Sequence, residues 1–430
     1  IIASVTESLK MSEDMARLEQ IFCAPSLQMV TLTITEKGYT IRDNDRNFVP
    51  DFAWDASVGP KSAAASFFGR LAALCLKRKA AGAAPIAIVS LDNCQNNGVR
   101  VRRAMMDMAE AWVDGGFITQ EDYEWLVNQM SYPLSMIDKI TPHPDDRVTK
   151  QLEADGLEGV RPFTTAKGTS AAAFVNTERP QYLLIEDHFP NGHPPLEQLG
   201  IIFTSRKIVD KSAHMKACTC LNPMDTALGI YGCLLGYQTV HEEMKDPQLV
   251  NLITRMSELE AMPMVEDPGV INPSEFLHEV LSERYPNPFL PDTPQRTATD
   301  TSQKLAIRFG ETLYAYYNSP IPMHRVSHLT YIPLVLAGWL RYLLSVDDNG
   351  NHFERSPDPM LPYLDQVLAG ITLGGDPAKE KQLYPLLCSK PIFGANLYEV
   401  GLADRVTEMF IELTRGPGAI RETLKKYCGE

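Results

Sequence analysis

Apolar residues recur at helical spacing along residues 11–22, at Met11, Met15, Leu18, Ile21 and Phe22, which predicts an amphipathic helix. Met29-Val-Thr-Leu-Thr-Ile-Thr35 instead alternates apolar residues with threonine, a strand pattern that runs out in Glu36-Lys37-Gly38-Tyr39. A second amphipathic helix is predicted over 62–79, with Phe67, Phe68, Leu71, Leu74 and Cys75 on its core face. Pro85-Ile-Ala-Ile-Val-Ser90 reads as a short buried strand, followed by Leu91-Asp92-Asn93 and the turn-prone Asn96-Asn97-Gly98. A helix over 99–112 and strands over 135–140 and 182–186 complete the first half. Strands alternating with helices predict an α/β fold on a mainly parallel sheet with right-handed crossovers. Ligands in such sheets sit beyond the carboxyl ends of the strands. Here those ends carry Glu36, Asn93 and Asp138, so three polar residues from separate strands are expected to converge. The plainer reading is that strand ends are polar because turns are.

After Glu186 the pattern changes. Residues 187–195 are rich in turn formers and read as a linker, and from about residue 207 the chain is helix-rich with few strand signals. This predicts two domains, 1–205 and 206–430. The longest apolar run, 329–344, is interrupted by Pro333 and Arg341 and is too short for a membrane span, so it reads as a buried helix. The stretch 214–237 is mostly apolar and small, yet it carries Lys216, Asn222 and Asp225. A lysine among Met215, Cys218, Cys220 and Leu221 loses hydration, which lowers its pKa and fits it to act as a base near neutral pH. Asn222 is then placed to donate its amide hydrogens to an oxygen on the same substrate. The competing reading is a buried helix whose one lysine reaches out to solvent.

Composition narrows the function. A net charge of -14 and a pI near 5.2 exclude a basic stripe for nucleic acid. The eight cysteines form no C-x-x-C pair and fit a reducing cytoplasm; no secretory signal is visible, and no membrane partner is expected. Cys218-Thr-Cys220 reads as too isolated from histidine or further cysteine for a zinc site. His241-Glu-Glu-Met-Lys lacks the second histidine of a zincin, and His324 and His328 lack an accompanying carboxylate pattern, so no metal is expected. The G-x-G-x-x-G fingerprint of a dinucleotide site is absent. The chain opens Ile1-Ile2 without an initiator methionine, and the natural protein is expected to begin earlier.

Several motifs resemble, in order, those of one family. They are Thr33-Ile-Thr-Glu-Lys-Gly-Tyr39, Ser90-Leu-Asp-Asn93 with Asn97-Gly98, and Met136-Ile-Asp-Lys-Ile-Thr-Pro142. To these are added Ile185-Glu-Asp-His-Phe-Pro-Asn-Gly192, Lys216 with Leu221-Asn222, and Arg296 with Asp300-Thr-Ser-Gln-Lys304. The family is the long-chain mannitol dehydrogenases, which includes fructuronate (mannonate) and tagaturonate reductases. Leu336-Ala-Gly-Trp-Leu-Arg-Tyr342 and Asp358-Pro-Met-Leu361 resemble the fructuronate reductase branch.

The resemblance implies a Rossmann-type N-terminal domain, with its first strand and glycine-rich turn preceding this chain, and a mainly α-helical C-terminal domain. It implies NAD-dependent secondary alcohol and ketone chemistry on a sugar acid or polyol in the cleft between them. NADP stays open because the acidic residue that reads the ribose precedes this chain. By the resemblance Lys216 is the acid/base, and Asn93 and Asn222 hydrogen-bond the oxygen whose charge changes. Asp138, Arg296 and Lys304 bind the sugar chain, and Thr35, Glu36 and Asn93 border the cofactor. A monomer or small homo-oligomer is expected.

Two departures stand out. Lys216 and Asn222 are six apart where relatives have five, and one extra residue on a regular helix rotates a side chain by about 100°. A local bulge is needed to keep both in one site. Asp225 stands where the family has histidine, and an ionised carboxylate beside Lys216 raises the lysine's pKa and repels an anionic substrate. A neutral polyol dehydrogenase and a catalytically silent sugar- or nucleotide-binding relative therefore remain as alternatives.

Overall fold

The computed structural model describes residues 4–43, 45–166, 168–179, 181–290, 292–375 and 382–429; the Glu36 side chain lies outside the described set. The chain forms two compact units, one of residues 1–138 with 181–213, the other of 139–180 with 214–430. Its strands are β1 (Met29–Leu32), β2 (Ala87–Ser90), β3 (Ser135–Asp138), β4 (Phe163–Thr164), β5 (Ser170–Ala171), β6 (Tyr182–Glu186) and β7 (Ile202–Thr204).

In the first unit β1 and β2 are parallel, in register from Met29 opposite Ala87 to Leu32 opposite Ser90. Ala87 also bridges in parallel to Ser131, just ahead of β3, so β1, β2 and β3 point their carboxyl ends the same way. β2 is buried along its whole length, and its side chains alternate between two cores as strand geometry requires. Ile88 packs with Phe52, Leu71, Met105 and Trp112, while Ala87 and Val89 pack with Ile185 and against Phe189 and Phe203. The helix Asn97–Asp114 lies against the stretch before β3 at Gly98, where an added Cβ would stand 2.4 Å from the Pro133 carbonyl oxygen. Only glycine fits that approach.

Among the described residues the strand pairings of this unit are mainly parallel, as expected, with one antiparallel exception. β6 is antiparallel to β3, and β7 is parallel to β6. A parallel return needs a crossover that packs on the sheet. Between β3 and β6, however, residues 139–180 belong to the second unit, so no crossover helix fixes the direction of β6. The strand expected over 29–35 also ends early, at Leu32, because Asp92 takes the Ile34 and Thr35 amides.

The second unit is helical apart from the β4–β5 hairpin. The apolar run is the helix Tyr331–Tyr342, buried from Ile332 to Tyr342, with Pro333 tolerated in its first turn. Arg341 is fully buried within it and donates to the carbonyls of Leu413, Val346 and Asp347, at 3.1, 2.5 and 3.1 Å. Glu260, also buried, caps the start of this helix by accepting the Thr330, Tyr331 and Ile332 amides at 2.5, 2.9 and 2.8 Å. The segment 139–180 is held by a buried ion pair, Arg284 to Glu178 at 3.2 Å, and Glu178 further accepts the Ile140 amide at 2.8 Å. Among the described residues no helix is long and apolar enough to cross a membrane.

Glu260→Ala removes the acceptor of the three amides at a buried helix start. A loss of about 2–4 kcal/mol is expected from the urea midpoint, because each unpaired buried donor costs on the order of 1–3 kcal/mol and relaxation recovers part. Glu260→Gln, which keeps one carbonyl oxygen, should fall between wild type and alanine; equal midpoints for all three proteins would remove Glu260 from this role.

Candidate active site

The helix Arg206–Met215 does not continue as an α-helix into Asn222–Leu235. Between them lies a π turn, Lys216–Cys220, closed by the Leu221 amide on the Lys216 carbonyl at 3.2 Å. Local sequence explains the break. Pro223 has no amide to continue the ladder and its ring collides with the carbonyl four residues back, while Leu221 leaves helical geometry at φ -140° and ψ -67°. The wider turn absorbs one residue, the adjustment that the six-residue spacing of Lys216 and Asn222 requires. Lys216 is 5 % exposed and Asn222 is half-buried.

Asp225, one turn further on, accepts a 2.7 Å hydrogen bond from the Tyr285 hydroxyl, which also lies 3.2 Å from the Leu221 carbonyl. Burial pushes the Asp225 carboxyl above its ordinary pKa, against the pull of Arg308 and the Tyr285 bond. Arg308 sits on a second π turn, Ala306–Gly310, and donates to Thr226 Oγ1 at 2.5 Å. Its pKa is lowered by burial and supported by Asp225. Lys304 is lowered by burial and then by Arg308, and its Nζ points to the carbonyls of Thr299 and Thr297. Arg296 is 70 % exposed, pairs with Asp292, and is raised by that bond. Asp225 acts electrostatically on Arg296, Lys304 and Arg308 alike, so these groups form one charged cluster. Sequence alone does not reveal Tyr285 or Arg308, although Arg308 follows Lys304 by one helical turn.

In the first unit the organiser is Asp92, not its neighbour Asn93. The buried Asp92 carboxylate accepts the Ile34 amide at 3.0 Å, the Thr35 amide at 2.9 Å and the Tyr39 hydroxyl at 2.5 Å. Tyr39 also meets Ser90 Oγ at 2.7 Å, and burial followed by the Asp92 bond raises its pKa. These bonds hold Thr35 at φ +61°, a left-handed conformation uncommon for a β-branched residue and worth reading as a functional mark. Thr35 and Glu36 thus open a short helix, Thr35–Gly38, instead of ending a strand. Asn97 is buried and joins β2 to β3, donating to Asp92 O at 3.1 Å and Ser135 O at 3.0 Å. Thr35 and Asn93 are exposed, and Asp138 is buried at the end of β3. Polar, partly exposed groups at the carboxyl edge of parallel strands fit a nucleotide cofactor.

Of the residues singled out in the sequence, Thr35, Glu36, Asn93 and Asp138 belong to the first unit, and Lys216, Asn222, Asp225, Arg296 and Lys304 to the second. Family models divide the chain once, between residues 198 and 209. The mannitol dehydrogenase Rossmann domain matches residues 1–198, and the mannitol dehydrogenase C-terminal domain matches 209–410. A D-mannonate oxidoreductase of Thermotoga maritima is 47% identical over 434 residues, covering 100% of this chain and 80% of that protein. A mannitol 2-dehydrogenase of Neosartorya fischeri is 27% identical over 99% of this chain and 79% of its own length. The structure of Pseudomonas fluorescens mannitol 2-dehydrogenase with NAD and D-mannitol is 27% identical, with TM-score 0.68 over 99% of this chain and 79% of that one. A D-sorbitol dehydrogenase structure reaches TM-score 0.77 at 22% identity, over 95% of this chain and 77% of that one, and bears on the fold. The fold is accordingly a Rossmann-type domain followed by a helical one.

The raised Asp225 pKa has a definite sign in stability. A carboxyl raised on folding contributes stability that is complete below its unfolded value, near 3.8, and is lost as pH rises through the folded value. Asp225→Asn keeps an acceptor for Tyr285 but cannot ionise. Wild-type Tm should therefore fall relative to Asp225→Asn as pH rises above about 4. Parallel Tm curves would show that burial does not oppose the charge here.

Proposed function

This chain belongs to the mannitol dehydrogenase family, and from that premise we propose that it is an NAD-dependent oxidoreductase interconverting a secondary alcohol and a ketone on a hexuronate. D-mannonate and D-fructuronate are the pair that fits best, on 47% identity to a D-mannonate oxidoreductase against 27% to a mannitol 2-dehydrogenase. The observation that carries the reading is a lysine 5 % exposed on a π turn, with Asn222 following at the start of the next helix. A buried lysine followed by an amide donor is a pair suited to pass a proton to and from a substrate oxygen.

Bound NAD would supply the hydride acceptor in oxidation and, reduced, the donor in the reverse direction. In oxidation Lys216 takes the proton of the substrate hydroxyl, and in reduction it returns it to the carbonyl oxygen. Asn222 donates its amide hydrogens to that oxygen, where charge develops, and Asn93 is proposed as a second donor. Asp138, Arg296 and Lys304 hold the sugar chain, and Thr35 and Glu36 border the cofactor. Arg308 joins Arg296 and Lys304, and three cations against Asp225 and Asp292 leave an excess of positive charge that suits a substrate carboxylate.

One feature favours the neutral-polyol reading, namely Asp225 where the family resemblance implies a histidine. The Tyr285 hydroxyl bonded to it and the Arg308 charge beside it offset the negative charge it presents and weaken that objection to an anionic substrate. The test is NADH oxidation with fructuronate, tagaturonate and fructose as separate substrates. Turnover of fructose in preference to both hexuronates would replace the reading with a polyol dehydrogenase. Turnover of none would leave a silent relative. Lys216→Ala should lower kcat by roughly 10²–10⁴, the usual worth of a positioned acid/base, with a small change in KM. A mutant that turns over as fast as wild type would assign the proton to another group.

A further inference from the structure

Two residues before Lys216, the helix places His214 opposite Glu311, and Cys218 follows His214 by four residues on the π turn. One ligand atom from each of His214, Cys218 and Glu311 lies within 4.8 Å of the others. The sequence left Cys218 too isolated from histidine or further cysteine to read as a zinc site; the fold brings it beside His214 and beside Glu311, from a helix 93 residues further along. The helices are joined at this point, since Thr312 Oγ1 donates to the Cys218 carbonyl at 3.3 Å.

A simple ion pair accounts for His214 and Glu311, which are in contact, but not for the rest. An ion pair needs no thiol, yet the buried Cys218 sulfur faces both partners. The donor set itself, one imidazole nitrogen, a thiol and a carboxylate within 4.8 Å of one another, matches a cation of the zinc class. Zinc binds thiolate at about 2.3 Å, imidazole at about 2.0–2.1 Å and carboxylate at about 2.0–2.2 Å. Tetrahedral ligands at those lengths stand roughly 3.4–3.6 Å apart, within reach of small side-chain movements from the arrangement here. A thiolate and a carboxylate together neutralise a dication, and the mixed N, S, O set selects borderline metals over magnesium or calcium. His214 and Glu311 side chains are 34% and 53% exposed, so water can enter and fill the fourth position.

We propose that His214, Cys218 and Glu311 form a binding site for one zinc-class divalent cation, which clamps the π turn carrying Lys216 to the helix Glu311–Asn318. The site is separate from the proton-transfer role proposed for Lys216, and its test does not depend on turnover.

Protein treated with chelator and then exchanged into chelator-free buffer is titrated with Co²⁺ and, separately, with Zn²⁺. Wild type should take up one equivalent of Co²⁺ with a thiolate-to-cobalt charge-transfer band in the near ultraviolet and visible bands of tetrahedral intensity. Zn²⁺ should displace it and raise Tm. Glu311→Gln, at a half-exposed position that leaves the fold intact, and Cys218→Ser should each weaken binding at least tenfold, and Cys218→Ser should abolish the charge-transfer band. Absence of that band in wild type would overturn the proposal. So would an unchanged band in a folded Cys218→Ser protein, or unchanged affinity in Glu311→Gln, since the metal would then be held by other residues.

Discussion

A buried lysine and an asparagine six residues later cannot share a face of a regular helix, and the second unit is built around the way the backbone resolves this. The Leu221 amide reaches back to Lys216 instead of Ala217, and Pro223 prevents the ladder from resuming until a new helix has begun. A π turn is a costly ring, and it persists where its surroundings hold it. Here the Tyr285 hydroxyl stands at the Leu221 carbonyl and Thr312 bonds the Cys218 carbonyl. The neighbouring helix carries its own π turn at Ala306–Gly310, from which Arg308 reaches Thr226. Both of these turns, two of five π turns among the described residues, carry side chains proposed for the chemistry.

Two sorts of ion stand out in this protein. Arg78 is buried against the carbonyls of Phe22, Ala24 and Ala84, Arg341 against three more, and Asp55 and Glu260 against backbone amides. Such groups tie loops to helices mainly through bonds to the backbone. Asp225, Arg308, Lys304 and Arg296 differ, because they act on one another and their charges respond together. Shared electrostatics of that kind marks a place where a charged ligand changes the balance.

How much of this was legible depended on distance along the chain. Periodicity placed β2, the helix after it, β6 and the buried helix around Trp339, because each is a local pattern of apolar positions. The spacing of Lys216 and Asn222 even required an irregular turn between them. The rest is set by partners far away. β1 stops at Leu32 because Asp92, 58 residues on from Ile34, takes the next amides. Asp225 has a tyrosine 60 residues away as its partner, where local reading gave it Lys216 as a neighbour. The antiparallel β6 follows from where residues 139–180 pack, and nothing within β6 itself records that.

That excursion also governs the order in which the protein can be made. The chain passes from the first unit to the second after residue 138, back after 180, and over again after 213. A ribosome delivering residues in sequence cannot complete the first sheet at β3, since β6 and β7 arrive only after a segment that belongs elsewhere. Glu178, once made, waits more than one hundred residues for Arg284. By its internal contacts, then, neither unit is one continuous stretch of chain.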